Sequence, residues 1–94
     1  MKKYLIERDF PGAEKLTAEE LQEISQLSVS VISILGKPYN WIQSYVVKDK
    51  IYCIHEAENE EVIREHSTCG NIPITKIDEI KTIISPDTAQ KTIA

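Results

Sequence analysis

Hydrophobic positions along the chain change rhythm from one segment to the next, and each rhythm predicts an element. The segment Lys2–Asp9 carries its apolar residues in the middle and runs into Pro11-Gly12, a turn signal, so a first strand is predicted near residues 2 to 9. Leu16-Thr17-Ala18-Glu19-Glu20-Leu21 then reads as a helix start. Thr17 can cap, Glu20 stands at the reciprocal capping-box position, and Leu16 can pack back onto Leu21. Leu21, Ile24, Ser28, Val31, Ile32 and Leu35 recur at spacings of three and four, which makes one face of a helix over about residues 18 to 35, ended by Gly36 and Pro38.

From Tyr39 the texture turns aromatic and β-branched. Tyr39–Val47 and Ile51–Ala57, joined by the polar Lys48-Asp49-Lys50, predict a hairpin. A second helix is expected from Asn59, a capping residue followed by Glu60 and Glu61, with Val62, Ile63, His66 and Cys69 facing inward and Gly70 and Pro73 closing it. Ile74, Ile77, Ile80 and Ile83 recur every third residue. The β-branched run Ile80–Ile84, stopped by Pro86, tips the reading to a last strand after a short turn. The order β-α-β-β-α-β is that of ferredoxin-like α+β folds: a four-stranded antiparallel sheet with two helices on one face. Residues 1–86 are read as a single such domain and 87–94 as a C-terminal tail. The uncovered sheet face, carrying aromatic residues from the hairpin, predicts a homodimer formed through the sheet faces.

Composition narrows the classes of function. Hydrophobic residues at 41% and charged residues at 28% fit a folded globular chain of 94 residues, which rules out wholesale disorder. Eleven basic against fifteen acidic residues give a net charge of −4, and the lysines are scattered, so no nucleic-acid footprint is expected. No apolar run approaches the roughly 18 residues of a membrane span, and the start reaches charge too early for a signal peptide, so a soluble cytoplasmic protein is expected. Cys53 and Cys69 are too few for a disulfide framework. No phosphate-binding glycine loop, Ser-His-Asp arrangement or nucleophile elbow is present, which leaves hydrolase and nucleotide readings without support.

The residues that can carry chemistry are few. His66 shares a helical stripe with Val62 and points to the core or to a pocket, as an internally bonded histidine or as a ligand. Cys53 and His55, two apart on a strand, share a sheet face; with His66 and Cys69 they offer imidazole and thiol, donors suited to zinc, nickel or copper, although both cysteines can equally be small core residues. Of Glu7 and Arg8 one must face inward: an inward Glu7 would need a cation, a histidine or a metal, and an inward Arg8 would seek a carboxylate. The site expected from this centres on His66 with Glu7 as its partner and Cys53 and His55 as additional metal donors, a set that can hold a divalent metal, form a buried hydrogen bond or act as an acid-base pair. Trp41, Tyr45 and Tyr52, with Ser44 nearby, are expected either to line a pocket or to fill a dimer interface.

Taken together, Tyr4–Asp9, Pro11-Gly12-Ala13, Leu16-Thr17, Trp41 with Ser44-Tyr45-Val46, Asp49-Lys50, Tyr52-Cys53 and Glu61–His66 resemble a small bacterial family, over about residues 3 to 86. Most of its members are called domains of unknown function, and it is associated with a nickel-binding protein of ferredoxin-like, dimeric α/β-barrel fold. The chain departs from that pattern at His55, where tyrosine is expected, and at Ile72, where an aromatic residue is expected. The resemblance implies a metal-binding protein, with nickel as the ion, in storage, buffering or sensing. Two alternatives stand beside it: a small cofactor-free enzyme of the isomerase or monooxygenase type using His66 as acid or base, and a non-catalytic module for a small-molecule ligand.

Overall fold

In the structure, a computed structural model that describes residues 1–90, helix α1 (Ala18–Leu35) starts on the capping box encoded in its sequence. The Thr17 hydroxyl accepts from the Glu20 N–H at 3.1 Å, and the Glu20 carboxylate accepts from the Thr17 N–H at 3.0 Å. Two of the amide donors that every helix start leaves open are satisfied in this way. Gly36 ends α1 with φ of 62°, the left-handed conformation that a side chain resists. Helix α2 (Glu60–Cys69) is capped by the Asn59 side chain, which accepts from the Val62 N–H at 3.1 Å. Gly70 serves close approach instead of conformational freedom: a Cβ there would stand 3.2 Å from Val31 of α1 and 3.1 Å from Ile72.

Strands β1 (Lys2–Asp9), β2 (Tyr39–Val46), β3 (Lys50–Ala57) and β4 (Lys76–Glu79) form one antiparallel sheet in the order β2-β3-β1-β4, the ferredoxin-like arrangement. Tyr4, Ile6 and Arg8 of β1 pair with His55, Cys53 and Ile51 of β3. All six are buried, on the face the helices cover. Ile6 and Ile63 lie at the centre of that core with Tyr4, Val62 and Ala57, and Leu16, Ile32 and Leu35 pack against them. Lys3, Leu5, Glu7, Tyr52, Ile54 and Glu56 alternate onto the other face, which no helix covers. No helix among the described residues is long and apolar enough to cross a membrane.

Two local expectations, the last strand and the inward face of α2, are corrected. The last strand is Lys76–Glu79 and not Ile80–Ile84. Its pairing with β1 ends where β1 begins: the Ile80 N–H donates to the Lys3 carbonyl at 2.8 Å, and Ile83 and Ile84 run past the end of β1, where they are 63% and 77% exposed. The residues following Ser85 include a short 3-10 turn, Pro86–Gln90, and residues 91–94 of the expected tail lie outside the described residues. On α2 the inward face is Val62, Ile63, His66 and Ser67. Cys69 is exposed, because Gly70 makes the close approach to α1 at that end of the helix.

The capping box predicts a specific loss. Thr17→Ala should lower stability by about 1 kcal/mol, read as a lower urea midpoint at unchanged slope.

Candidate functional site

Helix α1 covers the sheet unevenly. Ser28 and Val31 are buried, whereas Leu21, Ile24 and Ser25, up to two turns earlier, are half-buried, and a cavity of about 370 Å³ opens there between α1 and the sheet. Leu21 and Ile24 of α1, Trp41 and Val46 of β2, Ile51 of β3 and Ile72 beyond α2 supply apolar walls. Its polar residues include Arg8, Ser25, Ser28, Ser44, Cys53, His55, His66 and Asn71; Asp9 borders it, with its carboxylate turned to the other side of β1 and paired with Lys50 at 3.6 Å.

Sheet and helix meet at a cluster of three rings. Tyr39 stacks on His66 with centroids 4.8 Å apart, and His55 meets both edge-on at 5.3 Å. Burial pushes the Tyr39 phenol up, so it stays protonated, and it shares a hydrogen bond with His55 Nδ1. Desolvation, then the proximity of His66 and of Arg8, pushes His55 down to about 3. His66 is lowered by desolvation as well; its bond to the Ser28 backbone opposes the shift and Arg8 adds to it. Both imidazoles are therefore neutral at physiological pH.

The tautomer of His66 follows from its partner. Its Nε2 lies 3.3 Å from both the Ser28 carbonyl oxygen and the Ser28 hydroxyl; the carbonyl can only accept, so the tautomer that satisfies it carries the proton on Nε2. In that tautomer Nδ1 is a bare lone pair. It is buried and, among the described residues, has no hydrogen-bond partner.

The expected site residues separate into two groups. His66, His55 and Cys53 all line the cavity, and so do Trp41 and Ser44, whose side chains share a hydrogen bond of 2.9 Å. Glu7 is excluded. It alternates onto the uncovered face and binds Lys50 at 2.9 Å, with the sheet between it and His66, while Arg8 takes the inward place. Tyr45 and Tyr52 are excluded also. A bulge between Trp41 and Gln43 inserts one residue, so Trp41 and Ser44 share the covered face and Tyr45 pairs with Tyr52 on the other. Ser28 and Tyr39, the partners of the two histidines, were not singled out as site residues. A serine on the apolar stripe of α1 was the available signal for one of them; Tyr39 gave none beyond its place on a strand.

Metal chemistry fits this donor set in kind and not in number. Imidazole and thiol suit nickel, yet no three His, Cys, Asp or Glu among the described residues converge on one point. The profile of a family described as SCO4226-like, nickel responsive protein SCO4226-like, matches residues 4–80. Among solved structures, the crystal structure of SCO4226 from Streptomyces coelicolor A3(2) is similar with a TM-score of 0.74, at 15% identity, covering 87% of this chain and 99% of that one; the likeness is one of fold. No curated protein matches the sequence.

The buried histidines predict acid sensitivity of a definite sign. Above about pH 6.5 His55 is neutral in both folded and unfolded chains; below it the unfolded chain takes up a proton that the folded one refuses until about 3, so stability falls as pH falls. His55 alone should cost about 2 kcal/mol at pH 5 relative to neutral pH. Urea unfolding at pH 7.5 and 5.0 should show a smaller loss in His55→Phe than in the parent.

Proposed function

This chain belongs to the SCO4226-like family, described as nickel responsive, and on that premise we propose that it is a small divalent-metal-binding protein, with nickel the ion and storage, buffering or sensing its role. The observation that carries the reading is His66 Nδ1, a lone pair on a buried neutral imidazole whose other nitrogen donates to Ser28. Metal-ligating histidines are held in this way, with the second ring nitrogen tied to a carbonyl that sets tautomer and orientation. His55 and Cys53 are the further donors from this chain. His55 serves if its Nδ1–H donates to the Tyr39 oxygen, which frees Nε2. Glu7 takes no part. The remaining positions of a nickel shell fall to water or to a small ligand admitted by the cavity.

We also propose that the chain is a homodimer through its uncovered sheet face. Leu5 and Tyr45 are exposed there at 37% and 49%, with Tyr52 and Ile54 half-buried, an arrangement that a second sheet would cover. The cavity opens on the opposite side of the sheet, so in this dimer each copy would hold its own site.

Titration of nickel and zinc by calorimetry into untagged protein, His66→Ala and His55→Ala, each checked for fold by circular dichroism, tests the metal reading. His66→Ala should weaken nickel binding by about 10-fold or more, since a lost ligand should cost at least as much as a lost outer partner. Equal affinity in the parent and His66→Ala would overturn it. For the dimer, light scattering at micromolar concentration should give twice the chain mass, and a monomer would sink that proposal.

A further inference from the structure

Arg8 is the one buried residue of permanent charge among the described residues, 5% exposed. Its recorded hydrogen bonds are all made by Nη1, to the Ser67 hydroxyl at 3.2 Å and to the carbonyls of Ile72 and Pro73 at 2.9 and 3.1 Å. All three acceptors are neutral. Among the described residues no carboxylate lies within ion-pair distance of the guanidinium, and Nε and Nη2 have no partner. Asp9, the next residue, points to the other side of the strand and is held by Lys50. The rings nearby offer no counter-charge either, since Tyr39 is protonated and His55 and His66 are neutral.

A cation so largely withdrawn from water is costly unless paired, and this one, with Nε and Nη2 still in contact with solvent, lines a cavity whose other walls are mostly apolar. Nε and Nη2 form the planar fork of a guanidinium, whose geometry matches the two oxygens of a carboxylate. We propose that the cavity binds a small apolar carboxylic acid as its anion, with the carboxylate on Nε and Nη2 of Arg8 and the hydrocarbon or aromatic part against Leu21, Ile24, Trp41 and Val46. An inorganic anion would satisfy the charge and leave these walls wet. The volume of about 370 Å³ lies in the range of small-ligand pockets. The inference rests on Arg8 and the walls, not on any metal.

Trp41 is the only tryptophan and lines the cavity, so its fluorescence reports occupancy. Metal-free protein, kept in EDTA, is titrated with 3-phenylpropanoate and with its uncharged isostere 3-phenylpropanamide. The acid should bind about 10-fold or more tighter than the amide, since a bidentate charge-assisted contact is lost in the amide. Equal affinities, or no response to the acid at millimolar concentration, would overturn the proposal. Arg8→Met, where folded by circular dichroism, should lose the preference for the acid, and a retained preference would overturn it too. Ser25→Phe leaves Arg8 in place and fills the cavity from α1; it should abolish acid binding, and unchanged binding would show that the acid lies elsewhere. Because every titration is run in EDTA, failure of nickel binding leaves these outcomes unaffected.

Discussion

The pairing of β1 with β3 is the constraint on which the site depends. Opposite Tyr4, Ile6 and Arg8 stand His55, Cys53 and Ile51, so two neighbouring strands send both their apolar residues and their unusual polar ones to the helix-covered face. Because side chains alternate with a period of two, a slip of one residue would exchange Arg8 for Glu7 and His55 for Ile54 or Glu56. The buried apolar residues hold against that slip. Ile6 and Ala57 are fully buried in the same rows, and exposing them would forfeit about 25 cal/mol for each Å² of apolar surface returned to water. The polar residues are carried inward by hydrophobic neighbours, and the structure then has to accommodate them one at a time.

It does so unequally. His55 is answered by Tyr39, and His66 on one edge by Ser28. Arg8 is answered on one nitrogen, by the last turns of α2 and the chain that leaves it: Ser67, Ile72 and Pro73 come together there because Gly70 lets α2 close on α1 and Asn71 turns the backbone with φ of 52°. What is left unanswered is the second edge of His66, while Nε and Nη2 of Arg8 make no hydrogen bond to the protein, and both residues line the same cavity. Unmet hydrogen-bonding capacity of this kind is costly to the fold, and in native proteins it concentrates where a ligand or ion completes it.

Much of this was legible in the sequence where the physics is local. Thr17 and Glu20 announce α1 because a capping box needs only four residues, and His66 could be assigned inward because the period of α2 is set by Val62 and Ile63. What was not legible depends on partners distant in the chain. Glu7 and Arg8 are equally good inward residues by alternation, and only burial of Tyr4 and Ile6 decides the phase in favour of Arg8. The bulge near Trp41 has no sequence mark of its own, yet it separates Trp41 from Tyr45 and so divides one imagined aromatic pocket between two faces. The isoleucines after Glu79 satisfy every propensity for a strand, yet Ile80 makes only one bond to Lys3, and Ile83 and Ile84 run past the end of β1, where no residue is left to pair with them.

Charge balance ties the two ligand readings together. A divalent ion at His66 and the guanidinium of Arg8 would repel one another within one cavity of low polarity, where screening by water is weakest. The same repulsion is already visible in the histidines, both of which Arg8 pushes towards their neutral forms. Neutral imidazole is the form that ligates a metal, so the guanidinium favours the donor while opposing the ion. A carboxylate seated on Arg8 would relieve that opposition by cancelling the charge and would leave the neutral imidazoles their lone pairs. By linkage an ion and an acid bound together would each raise the affinity of the other, and the sign of that coupling is set by where Arg8 sits in β1.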